Sequence, residues 1–220
     1  MTALLYEGVG LIQRYGEREV LNLPRLEVEK GAVLALTGPN GCGKSTLLRI
    51  LAFLEGPAAG ELRFTLADAV QDGEAARRQV SLLLQDPYLL RMNVQRNVLL
   101  GLRLRGLHLS RAEAGRIFTR VMRDVGFARP EDFAARGPAE LSGGERQRVA
   151  LAARLALDLP VLLLDEPTAN VDAESARAIA EAVSAAGHRG TTVLCATHDP
   201  ALIRALNAQE LHLGRAWDEV

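Results

Sequence analysis

The 220-residue sequence is poor in cysteine, lysine and aromatic residues, and it has no long hydrophobic run. Two cysteines, Cys42 and Cys195, are too few for a disulfide framework, and the N-terminus has no signal-peptide pattern, so we expect a reducing, cytosolic compartment. The longest uninterrupted apolar stretches, such as 161–164, are far shorter than the roughly 18 residues that span a bilayer. Any role in transport would therefore require a membrane-spanning partner.

The chain also has no excess of charge of one sign. Its net charge is −1 and its pI is about 6.4, which gives no argument for nucleic acid as a partner. Residues 86–155 hold 13 arginines and 7 acids, a net charge of +6 that leaves −7 for the remainder. This segment either faces a membrane surface or an acidic partner, or is a solvated arginine-rich helical face.

The hydrophobic pattern alternates between strands and helices. The first 30 residues predict a small antiparallel sheet that turns at 15–17, and the apolar stretch Val80–Leu84 predicts a short strand. After Pro87 the pattern becomes helical until about residue 155, and β-α alternation then resumes. We therefore expect an α/β fold, a mostly parallel sheet flanked by helices, with an inserted helical subdomain at about 87–155. Other predicted elements are strands 32–37, 61–66, 161–164 and 192–196, and helices 45–52, 111–125, 142–157, 173–186 and 200–206.

A glycine-rich loop of the pattern Gly38-x4-Gly43-Lys44-Ser45 follows a predicted strand and opens a predicted helix. Glycines let backbone amides wrap phosphates, and the helix N-terminus adds positive potential. Lys44, one of only two lysines, should reach the β- and γ-phosphates, and Ser45 should ligate Mg²⁺. Cys42 is a small residue where added bulk should intrude on the phosphate path. The predicted loop comprises Gly38, Pro39, Asn40, Gly41, Cys42, Gly43, Lys44, Ser45 and Thr46.

Two adjacent acids, Asp165 and Glu166, follow the four aliphatic residues 161–164 and precede Pro167-Thr168. The carboxyl end of a buried strand is where ligands of open α/β sheets collect. Asp165 is placed to organise Mg²⁺, and Glu166 to polarise an attacking water as a general base. The alternative is a pair of solvated charges on a loop.

The pentapeptide Leu141-Ser142-Gly143-Gly144-Glu145 has two interpretations. Ser142 and Glu145 form a capping-box pattern, which would simply start a helix. A glycine-rich helix N-terminus with a serine hydroxyl is also an anion site, although a chain with a complete phosphate loop has little need of another for the same nucleotide. The two interpretations are compatible.

Taken together, these segments resemble the nucleotide-binding subunit of ATP-binding cassette (ABC) transporters over nearly the whole chain. The resemblance implies a P-loop NTPase core formed by 1–86 and 156–220, with ATP and Mg²⁺ as cofactors. It further implies a homodimer that sandwiches two ATP molecules. Ser142 and the amides of Gly143 and Gly144 would contact the γ-phosphate bound to the opposite subunit.

The resemblance also assigns roles to four smaller features. His198 would contact the γ-phosphate and orient the water, and Gln85 would sense Mg²⁺ and water; the alternatives are an ordinary core or surface histidine and a polar strand end. Tyr15 would stack on adenine, unless it packs locally in its hairpin. Asp172 would lie at the dimer interface, unless it only caps the next helix. The segment 170–172 reads Asn-Val-Asp where the family usually has Ala-Leu-Asp.

The expected function is therefore that of the ATPase subunit of a bacterial importer at the cytoplasmic face of the membrane, or cytoplasmic when isolated. Its partners would be permease subunits, contacted by residues after Gln85 such as 87–90, and indirectly an extracytoplasmic solute-binding protein. Residues 47–55 and 81–90 resemble ATPases of oxyanion importers, especially the tungstate type, and we expect no C-terminal regulatory domain. The alternatives are a soluble cassette protein acting on ribosomes or DNA, and a P-loop kinase, in which the pentapeptide and His198 would have no role.

Overall fold

The computed structural model describes residues 3–214, and its strands form two sheets. An antiparallel sheet has the strand order β2-β1-β4-β5, and a parallel sheet has the order β6-β7-β8-β3-β9. The strands are β1 Leu4–Tyr15, β2 Arg18–Glu29, β3 Val33–Thr37, β4 Ala59–Leu66, β5 Ala69–Val70, β6 Val80–Leu83, β7 Val161–Asp165, β8 Thr192–Ala196 and β9 Gln209–His212.

Seven α-helices connect these strands within the described residues. Three of them, together with two short 3₁₀ turns, lie between β6 and β7, where the sequence predicted helical structure. The helices are α1 Lys44–Leu51, α2 Gly73–Arg77, α3 Val94–Leu104, α4 Arg111–Asp124, α5 Gly143–Leu155, α6 Ala173–His188 and α7 Pro200–Leu206.

The central strands of the parallel sheet are buried on both faces. Every residue of β7 and of β8 is buried, as expected for parallel strands covered by helices on each side. One hydrophobic cluster joins this sheet to α1 and to the antiparallel sheet, and another joins it to α3–α6. The predicted fold class, an α/β fold with a small antiparallel part, is confirmed.

Helix starts follow the capping patterns of the sequence. Ser110 and Ser142 both cap their helices in complete capping boxes, with Glu113 and Glu145 as reciprocal partners. A capping residue satisfies amides of the first turn that have no partner within the helix. Asn93 caps α3 by accepting from the amide of Arg96. These caps fix where the loops end and the helices begin.

Several elements differ from the sequence-based prediction. Strand β6 ends at Leu83, one residue earlier than predicted, and three short elements were not predicted at all: β5 at Ala69–Val70, α2 at Gly73–Arg77 and β9 at Gln209–His212. Three of the four β9 residues are polar, so no strand pattern is visible, but parallel pairing with β3 satisfies their backbone. None of the described helices is long and apolar enough to cross a membrane.

Candidate functional site: a phosphate loop beside two acids

The loop between β3 and α1 requires glycine at three positions. Gly38, Gly41 and Gly43 have φ values of 138°, 81° and 99°, which side chains disfavour. A methyl group added at Gly43 would lie 2.5 Å from the carbonyl oxygen of Val20. The loop backbone therefore carries no side chains at these three positions. It continues directly into the N-terminus of α1.

Lys44, the first residue of α1, spans this loop. Its Nζ donates to the carbonyl oxygens of Gly38 and Pro39, at 2.9 and 3.2 Å. Only 7% of the residue is exposed, so the loop itself holds the ammonium group in place. It faces a cavity of about 380 Å³ lined by Arg18, Val20, Asn40, Gly41, Gly43, Lys44, Ser45, Thr46, Gln85, Asp165 and Glu166.

Asp165, the last residue of β7, lies opposite the loop. The hydroxyl of Ser45 donates to its Oδ1 at 3.0 Å. Burial raises the pKa of the Asp165 carboxyl above its usual value, and the nearby Glu166 carboxylate raises this pKa further, while the Ser45 hydrogen bond opposes both. Hydroxyl and carboxylate oxygens together on a cavity wall are ligands that suit Mg²⁺, which takes one or two carboxylates with water and phosphate oxygens.

Glu166 occupies a strained turn just beyond β7. Its φ is 44°, in the left-handed region that non-glycine residues rarely adopt, and its amide donates to the carbonyl oxygen of Ala196 at 2.9 Å. This turn aims the carboxylate at His198, whose Nδ1 lies 3.0 Å from Oε1 of Glu166. The direction of this bond depends on the tautomer of the His198 ring. The structure thus pairs two residues that are 32 positions apart in sequence.

Gln85 reaches the same cavity from a different strand. It lies two residues beyond the end of β6, is exposed, and lines the cavity beside Asp165 and Glu166. Because β6 and β7 are neighbouring parallel strands, their carboxyl ends meet at one edge of the sheet. Gln85 therefore links this cavity to the segment that leads towards α3.

The pentapeptide 141–145 contributes no residue to this cavity. Ser142 and Gly143 are exposed at the N-terminus of α5, whereas Gly144 is buried. The amide of Ser142 donates to Oε2 of Glu145 at 2.7 Å, and the amide of Glu145 donates to Oγ of Ser142 at 3.2 Å. The capping box is thus present, and it leaves Gly143 facing solvent.

Gly144 packs against the start of α6. A methyl group added there would lie 2.5 Å from Oδ2 of Asp172 and closer still to Oγ of Ser175. Asp172 caps α6, accepting from the amide and the hydroxyl of Ser175, both at 2.8 Å. These bonds, the backbone one first, lower the pKa of the Asp172 carboxyl. The capping interpretation of Asp172 is therefore observed, and its role at an interface stays a prediction.

Tyr15 is anchored at the β1–β2 hairpin rather than packed into it. Its Oη donates to Oε1 of Glu55 at 2.8 Å and accepts from Nη2 of Arg49 at 2.7 Å. Nη2 of Arg49 also donates to Oγ1 of Thr46 at 3.2 Å. The residue remains 47% exposed, with Cζ of Arg49 5.9 Å from the ring centroid, so the anchored tyrosine is accessible next to α1.

Cys42 lies in the predicted phosphate loop, but its side chain is buried beneath the loop. It is 2% exposed and belongs to the hydrophobic cluster beneath the loop, with Sγ close to Gly38. Because the side chain points into the core, bulk on it would press on the loop from beneath, and its effect on the phosphate path stays a prediction. Only the backbone of Cys42 belongs to the phosphate loop.

A comparison with known protein families shows which family has these features in common. The profile of a family described as ABC transporter matches residues 21–169, which include the phosphate loop, the pentapeptide and the two acids. The chain belongs to the ABC transporter family. A second profile, described as an AAA domain, putative AbiEii toxin of a type IV toxin–antitoxin system, matches residues 136–204.

Relatives of this ABC protein include import proteins for inorganic anions. The sulfate/thiosulfate import ATP-binding protein of Bordetella bronchiseptica is 45% identical over 166 residues, which are 75% of this chain and 46% of that protein. The phosphate import ATP-binding protein of Natronomonas pharaonis is 39% identical over 202 residues, covering 86% and 70%. The chain spans about half the length of the sulfate/thiosulfate relatives that it matches.

Solved structures support the same assignment. The dimeric, post-hydrolysis structure of an ATP-binding cassette bound to ADP and Pi has a TM-score of 0.83 and 27% identity, covering 95% of this chain and 94% of that one. The dimeric structure of a bacterial ABC transporter cassette gives the same score. The ABC fold therefore extends over nearly all of the chain.

Sequence reasoning missed four residues of this ABC site. Arg18 and Val20 of β2 line the cavity, and Arg49 and Glu55 hold Tyr15. The pattern of the first 30 residues predicted an antiparallel sheet, but not that the start of β2 would lie over the phosphate loop. The Arg49–Glu55 ion pair of 2.9 Å has no local pattern that distinguishes it from ordinary surface charge.

Proposed function

We propose that this chain is the ATP-hydrolysing subunit of an importer for an inorganic oxyanion, acting at the cytoplasmic face of a membrane. The import ATP-binding proteins for sulfate, thiosulfate, phosphate and other anions among its relatives support this proposal. Tungstate, which the wording of residues 47–55 and 81–90 suggested, belongs to the same chemical class and stays a prediction.

One observation carries the part of this proposal that concerns ATP hydrolysis by a dimer: the cavity at the phosphate loop lacks the pentapeptide. Ser142 and Gly143 are exposed at a helix N-terminus, a ready anion site, yet neither lines the cavity. Both solved neighbours described above are dimers. We infer that Ser142, Gly143 and Gly144 of one subunit complete the nucleotide site of a second copy.

The phosphate loop and Lys44 would bind the triphosphate of ATP. Backbone amides at Gly41–Thr46 and the N-terminus of α1 supply donors, and the Lys44 ammonium exchanges its carbonyl contacts for β- and γ-phosphate oxygens. Ser45, Asp165 and Gln85 would hold Mg²⁺ directly or through water. When bound, this ion would neutralise charge on the phosphate oxygens.

Glu166 and His198 would act on the attacking water. Glu166 is placed at the edge of the cavity and accepts a proton from water as it attacks the γ-phosphorus. His198 does not itself line the cavity, but its Nδ1 contact to Glu166 holds it beside the cavity edge, where it would orient the water or the γ-phosphate. Turnover then yields ADP and phosphate.

A groove beside Gln85 suits the membrane partner. It has a volume of about 620 Å³ and is lined by 87–89, 91–92, 137–139 and 146, so it lies between the segment after β6 and the approach to α5. Tyr88 is 75% exposed and Leu90 is 41% exposed beside it. Exposed apolar side chains next to one another mark interaction surfaces, and here they follow directly on a cavity-lining glutamine. We propose that a permease segment docks in this groove.

Tyr88→Ala tests the groove. We expect the variant to keep its ATPase activity in isolation but to lose co-purification with its permease by at least about tenfold, since exposed aromatic anchors dominate interfaces. Leu104→Ala, which removes another strongly exposed apolar side chain from the helical segment, is the matched control and should bind normally. Equal retention of permease by both variants would exclude the groove as the docking site.

Glu166→Gln tests the catalytic assignment and the dimer together. We expect turnover to fall at least about 100-fold while ATP binding is kept, because only the proton acceptor is removed. With hydrolysis blocked, the protein should run as an ATP-dependent dimer on gel filtration. Glu17→Gln, in the exposed hairpin turn, is the control and should behave as wild type. A variant that binds MgATP tightly yet stays monomeric would contradict the sandwich.

A further inference from the structure

A small cavity lies at the end of the parallel sheet opposite the phosphate loop. It is formed where β6, β7 and β8 begin and where α5 and α6 end, whereas the nucleotide site lies at the carboxyl ends of the same sheet. Its volume is about 20 Å³. The lining residues are Ser81, Arg154, Leu155, Asp158, Leu159, Val161, Leu162, Ala186, Arg189 and Thr191.

Two hydrogen-bond donors of this cavity are buried without a partner. Oγ of Ser81, a residue only 5% exposed, and Nε of Arg154 are both sealed from solvent and make no hydrogen bond within the described residues. An unsatisfied buried polar group costs about 1–3 kcal/mol, and more when it is charged. Native proteins rarely leave two such groups on one cavity wall.

The charge of Arg154 is also uncompensated. Among residues 3–214 its guanidinium forms no ion pair, and burial alone lowers its pKa, with no carboxylate opposing that effect. Arg189 adds a second cation to the lining, and Asp158 adds one acid, which is exposed and makes no ion pair in the described part of the chain. The lining is therefore rich in donors and positive charge.

The end of α5 explains only part of this arrangement. Arg154 lies in the last turn of α5, where a cation interacts favourably with the helix dipole. The helix dipole provides no hydrogen-bond acceptor for Nε of Arg154 or Oγ of Ser81. It also provides no full negative charge in the cavity. A bound acceptor with a negative charge satisfies both donors and offsets the guanidinium.

The size of the cavity limits what such an acceptor can be. A cavity needs roughly 10–15 Å³ to admit one water molecule, so about 20 Å³ admits one group of similar size. A tetrahedral oxyanion, with four oxygens around a central atom, is too large. A halide ion, which is a single atom that accepts from several donors, fits the space and the charge.

We propose that this cavity is a halide site, occupied by chloride under physiological conditions and held by Arg154 and Ser81. The ion joins the C-terminal ends of α5 and α6. Ser142 and Asp172 cap the opposite ends of these two helices, so the ion stabilises the scaffold that carries the pentapeptide. The proposal is independent of the transported substrate and of ATP turnover.

Thermal unfolding of the nucleotide-free protein tests the proposal. We expect the midpoint to rise by about 3 °C on titration with sodium chloride against sodium gluconate at constant ionic strength, and to saturate, since a ligand that binds only the folded state stabilises it. Bromide should give the same rise and an anomalous diffraction peak between Arg154 and Ser81. Sulfate should give no saturating rise at this site.

Three variants assign the effect to the cavity. Arg154→Met should abolish the halide-dependent rise, and Ser81→Ala should weaken the apparent affinity about three-fold or more by removing one donor. Arg204→Met is the matched control, because Arg204 also lies in the last helical turn, of α7, but is exposed; it should keep the full rise. If Arg154→Met fails to fold, Ser81→Ala and the bromide peak still decide the question.

Two results would overturn the proposal. Equal unfolding midpoints in chloride and gluconate, with no bromide density in crystals of the wild-type protein, would show that the cavity holds water alone. A halide-dependent rise that persists unchanged in both Arg154→Met and Ser81→Ala would place the halide elsewhere on the protein.

Discussion

The phosphate loop and the pentapeptide, which we propose as the two anion-binding ends of this molecule, differ in how far one chain completes them. At the phosphate loop Lys44 and Asp165 are buried and already held by hydrogen bonds to the loop and to Ser45. At the pentapeptide the capping box fixes the helix end, but Ser142 and Gly143 face solvent. At the phosphate loop the functional side chains are already held in place, whereas at the pentapeptide only the backbone is. This difference is what a site shared between two copies requires.

The strongest way to break this comparison is to change the charge of the second half-site without changing its fold. Ser142→Asp should keep α5 capped, because aspartate is as good a cap as serine. The added carboxylate should repel the γ-phosphate of the opposite subunit, so we expect ATPase activity to fall at least about 100-fold with an unchanged unfolding midpoint. Steady-state phosphate release and thermal unfolding measure the two effects.

Mixing variants turns this prediction into a test of sharing. Lys44→Ala removes the cation of the phosphate loop and should be inactive alone. A mixed dimer of Lys44→Ala and Ser142→Asp subunits contains one site in which both halves are intact, so mixing two inactive proteins should restore activity. Failure of all mixing ratios to restore turnover, with mixed dimers shown to form, would place both half-sites on the same nucleotide.

A smaller effect separates the packing of the pentapeptide from its exposed face. Gly144→Ala should destabilise the protein by about 1–3 kcal/mol, because the methyl group collides with Asp172 and Ser175. Gly143→Ala meets no atom within 4 Å in the described structure and should leave unfolding almost unchanged. Urea unfolding compares the two. Equal destabilisation by both substitutions would mean that the α5–α6 contact is not what Gly144 serves.

The sequence predicted the parts of this site whose residues are close together along the chain better than the parts whose residues are far apart. The phosphate loop, the two acids at the end of β7 and both capping boxes are local patterns, and their geometry follows from the residues themselves. The Glu166–His198 contact required a family resemblance, since 32 residues separate them. Strand β9 and the Arg49–Glu55 anchor rest on tertiary contacts between ordinary polar residues, which no local pattern marks.

The smallest expected effect concerns the anchor that serves only the first half-site. Tyr15→Phe keeps the aromatic face but removes the bonds to Glu55 and Arg49, so the ring is less fixed beside α1. If Tyr15 stacks on adenine, the Kd for ATP should rise about three-fold, as expected for losing a modest hydrogen bond, while the Kd for inorganic triphosphate stays unchanged.

Tyr88→Phe is the control for this change, since Tyr88 is exposed elsewhere and makes no hydrogen bond in the described structure. It should alter neither constant when both ligands are titrated by calorimetry. Inorganic triphosphate would contact only Lys44 and the loop. An equal rise in the Kd of both ligands would therefore show that the hydrogen bonds of Tyr15 support α1 and do not position the base. The first half-site would then consist of phosphate contacts only, and adenine recognition would have to come from elsewhere.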